Sequence, residues 1–295
     1  VIVTAGASAG FVLTFLACFD PGERVGVVSP GYPCYRNTLL ALDVEPVSIP
    51  VGPDTRWAPT PELVARAGHL DGLVVASPSN PTGTMLTSDA LAALGAHCAA
   101  TGTRLVSDEI YHGLTFTGRA TCARAVAPEA VVLNSFSKYF SMTGWRLGWI
   151  VAPADIVPAL ERLQQNLYIC APALAQVAAQ AAFDCAEELD GHVARYARNR
   201  TVLLDGLAES GITRAADSDG AFYVYADVGH LLDASGILDS LALCGQWLDE
   251  LGVATTPGVD FDLERGHRFA RFSYAGAEAD IAEACRRLAA WARGR

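Results

Sequence analysis

Short apolar runs alternate with amphipathic segments through the first half of the chain. Seven runs are rich in Val, Ile and Leu and are bounded by Gly, Pro or Asp: residues 1–4, 24–29, 44–50, 72–76, 104–107, 131–135 and 147–152. Helical patterns, such as 61–67 and 88–100, lie between them. This alternation predicts βα units, and strands that are apolar on both faces are typical of a buried, mostly parallel sheet.

After about residue 160 the pattern changes to longer helical periods. The later segments are helical patterns at 158–166 and 173–207, shorter segments at 221–227 and 246–251, a strand-like run at 268–273 and a helix at 278–292. We therefore predict an α/β fold with a large domain at residues 1–165 and a smaller C-terminal α+β domain at 166–295.

Composition narrows the class of protein. A chain of 295 residues that is 51% hydrophobic and 18% charged is expected to bury a large core. The net charge of −11 argues against a nucleic-acid surface, which needs clustered Lys or Arg. Two uncharged stretches, 1–19 and 163–183, are interrupted by polar residues and by Gly or Pro, so neither predicts a membrane span.

Eight cysteines are spread along the chain without a C-x-x-C pair. None has metal-ligand spacing with the six histidines. This usage predicts reduced thiols, a cytoplasmic protein and no metal site.

The chain has a single lysine, Lys138, while its other twenty basic residues are arginines. An amine can lose its proton, attack a carbonyl and form a Schiff base, which a guanidinium cannot do. The alternative is that an arginine-rich composition simply left one lysine. The residue by itself does not decide between these interpretations.

Four sequence blocks have a characteristic order and spacing. They are SPSNPTG at 77–83, SDEIY at 107–111, SFSKYFSMTGWR at 135–146 and RFS at 271–273. Together they resemble the class I/II aminotransferases of fold type I, which use pyridoxal phosphate, and the resemblance extends along the whole chain. It implies a mostly parallel seven-stranded sheet flanked by helices, a smaller C-terminal α+β domain, and a homodimer. It also implies amino transfer from an L-amino acid to a 2-oxo acid.

The resemblance assigns the chemistry to three residues. Lys138 would hold the cofactor aldehyde as a Schiff base and then move a proton at the substrate Cα. Asp108 would pair with the pyridine nitrogen, although an Asp at a strand end also often caps a turn. Tyr111 would donate to the cofactor phenolate oxygen, as would Asn80, which is also expected near the substrate.

The phosphate and the ring of the cofactor imply a second set of residues. The phosphate would be bound by Arg146, by the hydroxyls of Ser135 and Ser137, and by backbone N–H groups around Ala7 and Ser8, before a helix predicted at 9–19. Tyr32 would stack on the ring, unless it is an ordinary turn tyrosine. In sheets of this kind such sites lie beyond the carboxyl ends of the strands.

Arg271 would bind the substrate α-carboxylate in a bidentate fork, with a strand arginine paired to a surface acid as the alternative. No Lys or Arg occurs between Arg162 and Arg195, where dicarboxylate-specific members of the family often carry an extra cation. We therefore expect a neutral or aromatic amino donor.

Three other functions remain open from the sequence. A carbon–sulfur lyase of the same fold would use the same site. An aminotransferase-like effector domain of a transcription regulator would bind without catalysis. Because the family places a further segment before the position of Val1, where it helps to close the site, a catalytically impaired cofactor-binding fragment is the third alternative.

Overall fold

The computed structural model describes residues 1–294, and its larger sheet has seven strands. They are β1 (Ile2–Thr4), β2 (Arg24–Ser29), β3 (Glu45–Pro50), β4 (Gly72–Ala76), β5 (Arg104–Asp108), β6 (Val131–Ser135) and β7 (Gly148–Val151). Their order is β1-β7-β6-β5-β4-β2-β3. The β3–β2, β2–β4, β4–β5 and β5–β6 pairs are parallel. Strand β7 is antiparallel to both of its neighbours, β1 and β6. The mostly parallel sheet predicted from the apolar runs is confirmed.

Helices cover both faces of this sheet and build the second half of the chain. They are α1 (Gly6–Cys18), α2 (Pro33–Ala41), α3 (Pro61–Arg66), α4 (Ser88–Thr101), α5 (Ala123–Val126), α6 (Val157–Leu167), α7 (Ala173–Ala182), α8 (Ala186–Glu209), α9 (Gly229–Ser235), α10 (Ser240–Leu251) and α11 (Glu278–Arg293). None of the helices within residues 1–294 is long and apolar enough to cross a bilayer.

The central strands are apolar on both faces because each face packs against helices. Along β6, Val131 and Leu133 belong to a core cluster with Phe11 of α1. The intervening Val132 belongs to a second cluster, with Leu94 of α4. Successive side chains of a strand point to opposite faces, so a strand buried on both sides requires the continuous apolar run seen in the sequence.

A second sheet of three antiparallel strands has the order β8-β10-β9, from β8 (Tyr223–Asp227), β9 (Thr256–Pro257) and β10 (Phe269–Ser273). One face of this sheet, with Val224 and Phe272, packs on Leu203 of α8 and Trp247 of α10. The α+β character predicted for the later part of the chain is thus present. The domain boundary at residue 165 stays a prediction.

The helix predicted over 173–207 is wrong as a single element, since α7 ends at Ala182 and α8 begins at Ala186. The ring of Phe183, just after α7, lies 5.6 Å from that of Phe136 and 5.4 Å from that of Phe140. Helix α7 therefore packs beside the Lys138 segment, whereas α8 packs on α11. No Gly or Pro marks the break, so tertiary contacts decide it.

One helix starts earlier than the sequence predicts, and a side-chain cap sets the start of another. Helix α1 begins at Gly6 rather than at residue 9. Helix α10 begins at Ser240, where the Asp239 side chain accepts a hydrogen bond from the backbone N–H of Ala242 (2.9 Å). A side-chain cap of this kind satisfies an otherwise unpaired N–H group and fixes where the helix starts.

Candidate active site

The predicted site residues surround one cavity at the carboxyl ends of β5 and β6, beside the N-terminus of α1. The cavity has a volume of about 320 Å³. Its lining includes Ala7, Ser8, Tyr32, Asn80, Asp108, Tyr111, Ser135, Ser137, Lys138, Arg146 and Arg271. Phe11, Tyr35, Ile110, Thr143 and Tyr223 complete it. The structure therefore brings together every residue that the sequence analysis selected, while their individual roles stay predictions.

One end of the cavity is rich in hydrogen-bond donors. The Ser135 hydroxyl lies 2.9 Å from that of Ser137, and Nη1 of Arg146 donates to Ser137 Oγ at 3.4 Å. The same Nη1 donates to the carbonyl of Thr143 at 3.0 Å, which fixes the guanidinium across the start of α1. Hydroxyls, a guanidinium and a helix N-terminus together form an anion site.

Gly6 is required for the close approach of Arg146 to α1. A Cβ at position 6 would lie 2.5 Å from Nη2 of Arg146, and the backbone there has φ +81. The left-handed conformation strains any residue with a Cβ, and a Cβ here would displace the Arg146 guanidinium. The glycine that starts the helix thus makes room for the cation beside it.

Asp108 is buried, with 2% of its surface exposed, at the end of β5. Its carboxylate accepts hydrogen bonds from the Tyr35 hydroxyl and from the backbone N–H of Ile110 (3.1 Å). Burial raises the pKa of Asp108 from 3.8 to about 6, while the two hydrogen bonds and the nearby charge of Lys138 act in the opposite direction. A positive partner beside the carboxyl group would stabilise its ionised form.

Lys138 lies across the cavity from this carboxylate and is partly buried. Its Nζ is 5.6 Å from the ring centroid of Tyr111 and 5.5 Å from that of Phe222. Burial lowers the pKa of Lys138, the Asp108 charge raises it, and the charges of Arg271 and Arg146 lower it further. A lowered pKa increases the neutral fraction of the amine, the form that attacks carbonyls.

Arg271 on β10 also lines the cavity. Its Nη1 donates to Asn80 Oδ1 at 2.8 Å, and Nη2 donates to Thr256 Oγ1 at 3.1 Å. Its buried Nε has no hydrogen-bond partner among the described residues. A partly buried guanidinium without a carboxylate partner is suited to bind a carboxylate from outside the chain.

The family is shown by comparison with known proteins. A model described as aminotransferase class I and II matches residues 1–288. The chain is 52% identical to a valine–pyruvate aminotransferase of Mycobacterium tuberculosis, over 99% of this chain and 75% of that protein. The chain belongs to the class I and II aminotransferase family.

Two further similarities support this aminotransferase assignment. The chain is 35% identical to an aspartate/prephenate aminotransferase of Thermus thermophilus, over 98% of this chain and 74% of that one. A crystal structure of an aminotransferase from Mycobacterium tuberculosis superposes with a TM-score of 0.94 at 51% identity, covering 99% of this chain and 76% of that one. The fold type I prediction is confirmed, and the assignment favours an enzyme over a regulator's effector domain.

The family and fold imply pyridoxal phosphate as the cofactor of this aminotransferase, and the cavity fits it. The donor-rich end beside Gly6, which keeps space for the Arg146 guanidinium, suits a phosphate group. The buried Asp108 suits a cationic ring nitrogen.

Among residues 1–294 no group of three or more His, Cys, Asp or Glu is arranged to hold a metal ion.

Tyr35 and Tyr223 are the main polar residues of the site that sequence reasoning missed. Tyr35 follows Tyr32 by three residues, so both side chains lie on one side of the turn into α2, and their rings are 5.6 Å apart. That spacing was a usable signal. Tyr223 gave none, because its position depends on how β8 pairs with β10.

A pH-dependent stability change follows from the raised pKa of Asp108. Because the folded pKa of about 6 exceeds the usual 3.8, ionisation opposes folding as pH rises from about 4 to 6. The shift corresponds to about 3 kcal/mol above pH 6, at 1.36 kcal/mol per unit. Asp108→Asn should therefore stabilise the cofactor-free protein at pH 7.5 relative to wild type, and much less at pH 4.

Urea unfolding of the cofactor-free protein at the two pH values measures this difference. Asp249→Asn, at an exposed position on α10, controls for the loss of one negative charge. A stability difference between Asp108→Asn and wild type that is the same at both pH values would contradict the expectation.

Proposed function

We propose that this aminotransferase moves the amino group of an L-amino acid with a neutral or aromatic side chain to a 2-oxo acid, with pyridoxal phosphate bound through Lys138. The proposal rests above all on the placement of the only lysine, Lys138, in one cavity with the buried carboxylate of Asp108 and the guanidinium of Arg271. The names of the relatives support the reaction class.

The phosphate of the cofactor would be bound by Arg146, Ser135 and Ser137 and by the backbone N–H groups of Ala7 and Ser8. Tyr32 would pack against the ring, and Tyr111 and Asn80 would donate to its phenolate oxygen. When bound, the cofactor supplies an electron sink for the charge left at the substrate Cα.

Asp108 would stabilise the positive charge of the ring nitrogen. A pair of opposite charges about 4 Å apart is worth on the order of 4 kcal/mol at an effective dielectric near 20, before desolvation. The burial that raises the pKa of Asp108 without such a partner also excludes water from the pair once formed. Tyr35 keeps the carboxylate oriented through its hydrogen bond.

Lys138 would bind the cofactor covalently and then act on the substrate. Once displaced from the cofactor, its neutral amine would take the proton from the substrate Cα as a general base and then, as a general acid, deliver it to the cofactor C4′. Arg271 would hold the α-carboxylate in a bidentate fork, with Asn80 and Thr256 fixing the plane of the guanidinium.

The charges of the cavity favour a neutral donor. Its lining contains three cations, Lys138, Arg146 and Arg271, and each has a role in the proposal. Its only carboxylate is that of Asp108. A second carboxylate or a cation on the substrate side chain would enter without a charged partner, which costs binding energy. The valine–pyruvate aminotransferase relative makes valine and pyruvate the first pair to test.

A homodimer is part of the proposal. Five large apolar side chains are exposed in one segment of the chain: Leu167 (55%), Ile169 (78%), Leu174 (73%), Val177 (65%) and Phe183 (63%). A concentration of exposed apolar side chains is typical of an interaction surface. We propose that a second copy of the chain covers it.

Replacing the lysine by arginine should remove catalysis while keeping the charge. Because a guanidinium does not become a neutral nucleophile or base, Lys138→Arg should reduce amino transfer at least ~10²- to 10⁴-fold. Borohydride reduction followed by mass spectrometry should add the cofactor mass to wild type but not to Lys138→Arg.

The double variant Lys138→Arg/Arg162→Lys is the matched control, because it places a lysine at an exposed position of α6. It should remain unlabelled and inactive. Full activity of Lys138→Arg would refute the central assignment. A wild-type chain that is labelled but transfers no amino group would favour the impaired-fragment alternative.

Donor choice tests the charge argument. With pyruvate as acceptor, valine, alanine, leucine and phenylalanine should be used faster than aspartate, and asparagine about tenfold or more faster than its charged isostere aspartate. Alanine formation from pyruvate measures the rate; for the alanine donor itself, the neutral 2-oxo acid 2-oxobutanoate replaces pyruvate and formation of 2-aminobutanoate is measured. Faster turnover of aspartate than of leucine and phenylalanine would contradict the proposed substrate class.

The mass of the particle in solution tests the dimer. Light scattering should give about twice the 31.1 kDa chain mass for wild type. Val177→Asp should shift the particle toward the monomer, because a charge in an apolar interface is desolvated without a partner. Leu248→Asp, at a similarly exposed site on α10, should leave the mass unchanged. A monomeric wild type would defeat this part of the proposal.

A further inference from the structure

Tyr223 contacts both Tyr111 and Arg271 in the cavity. Its hydroxyl lies 3.1 Å from the hydroxyl of Tyr111. Its ring centroid lies 4.2 Å from Cζ of Arg271, so the guanidinium covers the ring face. The side chain is buried, with 6% exposed. One tyrosine therefore connects the cofactor end of the cavity with the carboxylate end.

Strand register places Tyr223 beside Arg271. In the β8–β10 pair, Tyr225 is opposite Arg271 and Tyr223 is opposite Ser273. Directly opposed residues, and residues two apart on one strand, share a face of the sheet. Tyr223 is thus the diagonal neighbour of Arg271 on the face away from the core of Val224 and Phe272, and a long side chain reaches it there.

The backbone before Tyr223 is held in an unusual conformation. Ala221 is fully buried and has φ 59, in the left-handed region that residues with a Cβ rarely adopt. Its N–H donates to the carbonyl of Leu114 (2.9 Å), and the N–H of Gly220 donates to the carbonyl of Gly83 (2.9 Å). Such strain persists only where the surroundings over-determine it, and it occurs often at functional sites.

A further hydrogen bond fixes the backbone of Tyr223 itself. The Ser218 hydroxyl donates to the Tyr223 carbonyl at 2.7 Å. Leu114 follows β5 and Gly83 follows β4, so these bonds tie the start of β8 to two loops of the large sheet. The position of Tyr223 is therefore set relative to Tyr111 and Asn80, which belong to those same loops.

We propose that Tyr223 is a positioning residue for amino transfer, its hydroxyl supporting Tyr111 as a donor and its ring supporting Arg271. This inference rests on the proposed function. The Tyr111 hydroxyl would donate a hydrogen bond to an anionic oxygen of the cofactor. The Tyr223 hydroxyl would in turn donate a hydrogen bond to the Tyr111 oxygen. Hydrogen bonds in such a chain polarise and strengthen one another. The electron-rich ring face attracts the guanidinium and holds its plane for a carboxylate.

Two substitutions separate the functions of the hydroxyl and the ring. Tyr223→Phe keeps the ring beneath Arg271 and removes the hydroxyl, whereas Tyr223→Leu removes both. Tyr225→Phe is the matched control, because it removes a buried hydroxyl on the same face of β8 that has no hydrogen-bond partner among the described residues. Tyr225 does not line the cavity.

The first readout is the pH midpoint of the visible absorbance change of the cofactor-loaded protein. Tyr223→Phe should move this midpoint to higher pH. Without the Tyr223 hydroxyl, Tyr111 is a weaker hydrogen-bond donor and stabilises the anionic form of the cofactor oxygen less. Tyr223→Leu should move it equally, and Tyr225→Phe should match wild type. A midpoint in Tyr223→Phe equal to that of Tyr225→Phe would overturn the role of the hydroxyl.

The second readout is the division between kcat and KM. Tyr223→Phe should lower kcat about three- to tenfold, the factor for one neutral hydrogen bond, with KM for the amino acid within about twofold of wild type. Tyr223→Leu should also raise KM for both the amino acid and the 2-oxo acid. Unchanged KM values in Tyr223→Leu would overturn the role of the ring.

Failure of the inference can be told apart from failure of the proposed function. The absorbance titration requires bound cofactor but no turnover, so an inactive wild type would defeat the proposed function and still leave the midpoint shift measurable. Equal losses of melting temperature and cofactor affinity in Tyr223→Phe and Tyr225→Phe, without a midpoint difference, would indicate a purely structural role and overturn the inference.

Discussion

The site depends on a buried carboxylate whose ionised form the surrounding fold destabilises. Asp108 ends a central strand of a sheet that is covered on both faces, so its side chain lies away from water. Tyr35 and the backbone of Ile110 donate to it, and the amine of Lys138 lies in the same cavity. Its raised pKa shows that burial destabilises its charged form. A ligand with a cationic ring nitrogen would stabilise that form.

The other charged groups follow from the same geometry. Parallel strands end at one edge of the sheet, so Asp108, Ser135 and the start of α1 meet there without any specific attraction between them. Arg146 reaches this edge because Gly6 leaves space for it. The charges of Arg146 and Arg271 help to lower the pKa of Lys138. The two guanidinium groups of the cavity and its amine are thus coupled through electrostatics.

The three-stranded sheet contributes to the site through contacts rather than through sequence proximity. Arg271 donates to Asn80, which lies 191 positions earlier in the chain. Asp219, just before β8, accepts from the Thr117 hydroxyl and from the N–H of Met85. These bonds hold Arg271 and the start of β8 against loops that follow β4 and β5 of the larger sheet. The distance between Arg271 and the residues at the strand ends of the larger sheet therefore depends on how the two sheets pack together.

The sequence alone predicted the sheet, most of the helices and eleven of the sixteen residues that line the cavity. Continuous apolar runs require burial on both faces of the sheet. Short sequence blocks, such as the one around Lys138, identify candidate site residues without knowledge of the tertiary structure. The break between α7 and α8 was not predicted, because no Gly or Pro marks it in the sequence, whereas in the structure the Phe183 ring just after α7 packs near those of Phe136 and Phe140. Tyr35 was within reach through its spacing from Tyr32.

Only the tertiary structure decided the partners within the site. That Tyr111 faces Tyr223, that Arg271 lies on an aromatic ring and that Asp108 accepts from Tyr35 all depend on strand register and on packing between distant segments. Local sequence fixes which backbone conformation a segment prefers and which side chains it offers. It does not fix which distant group shares a buried space, because that is determined by the packing of the whole chain.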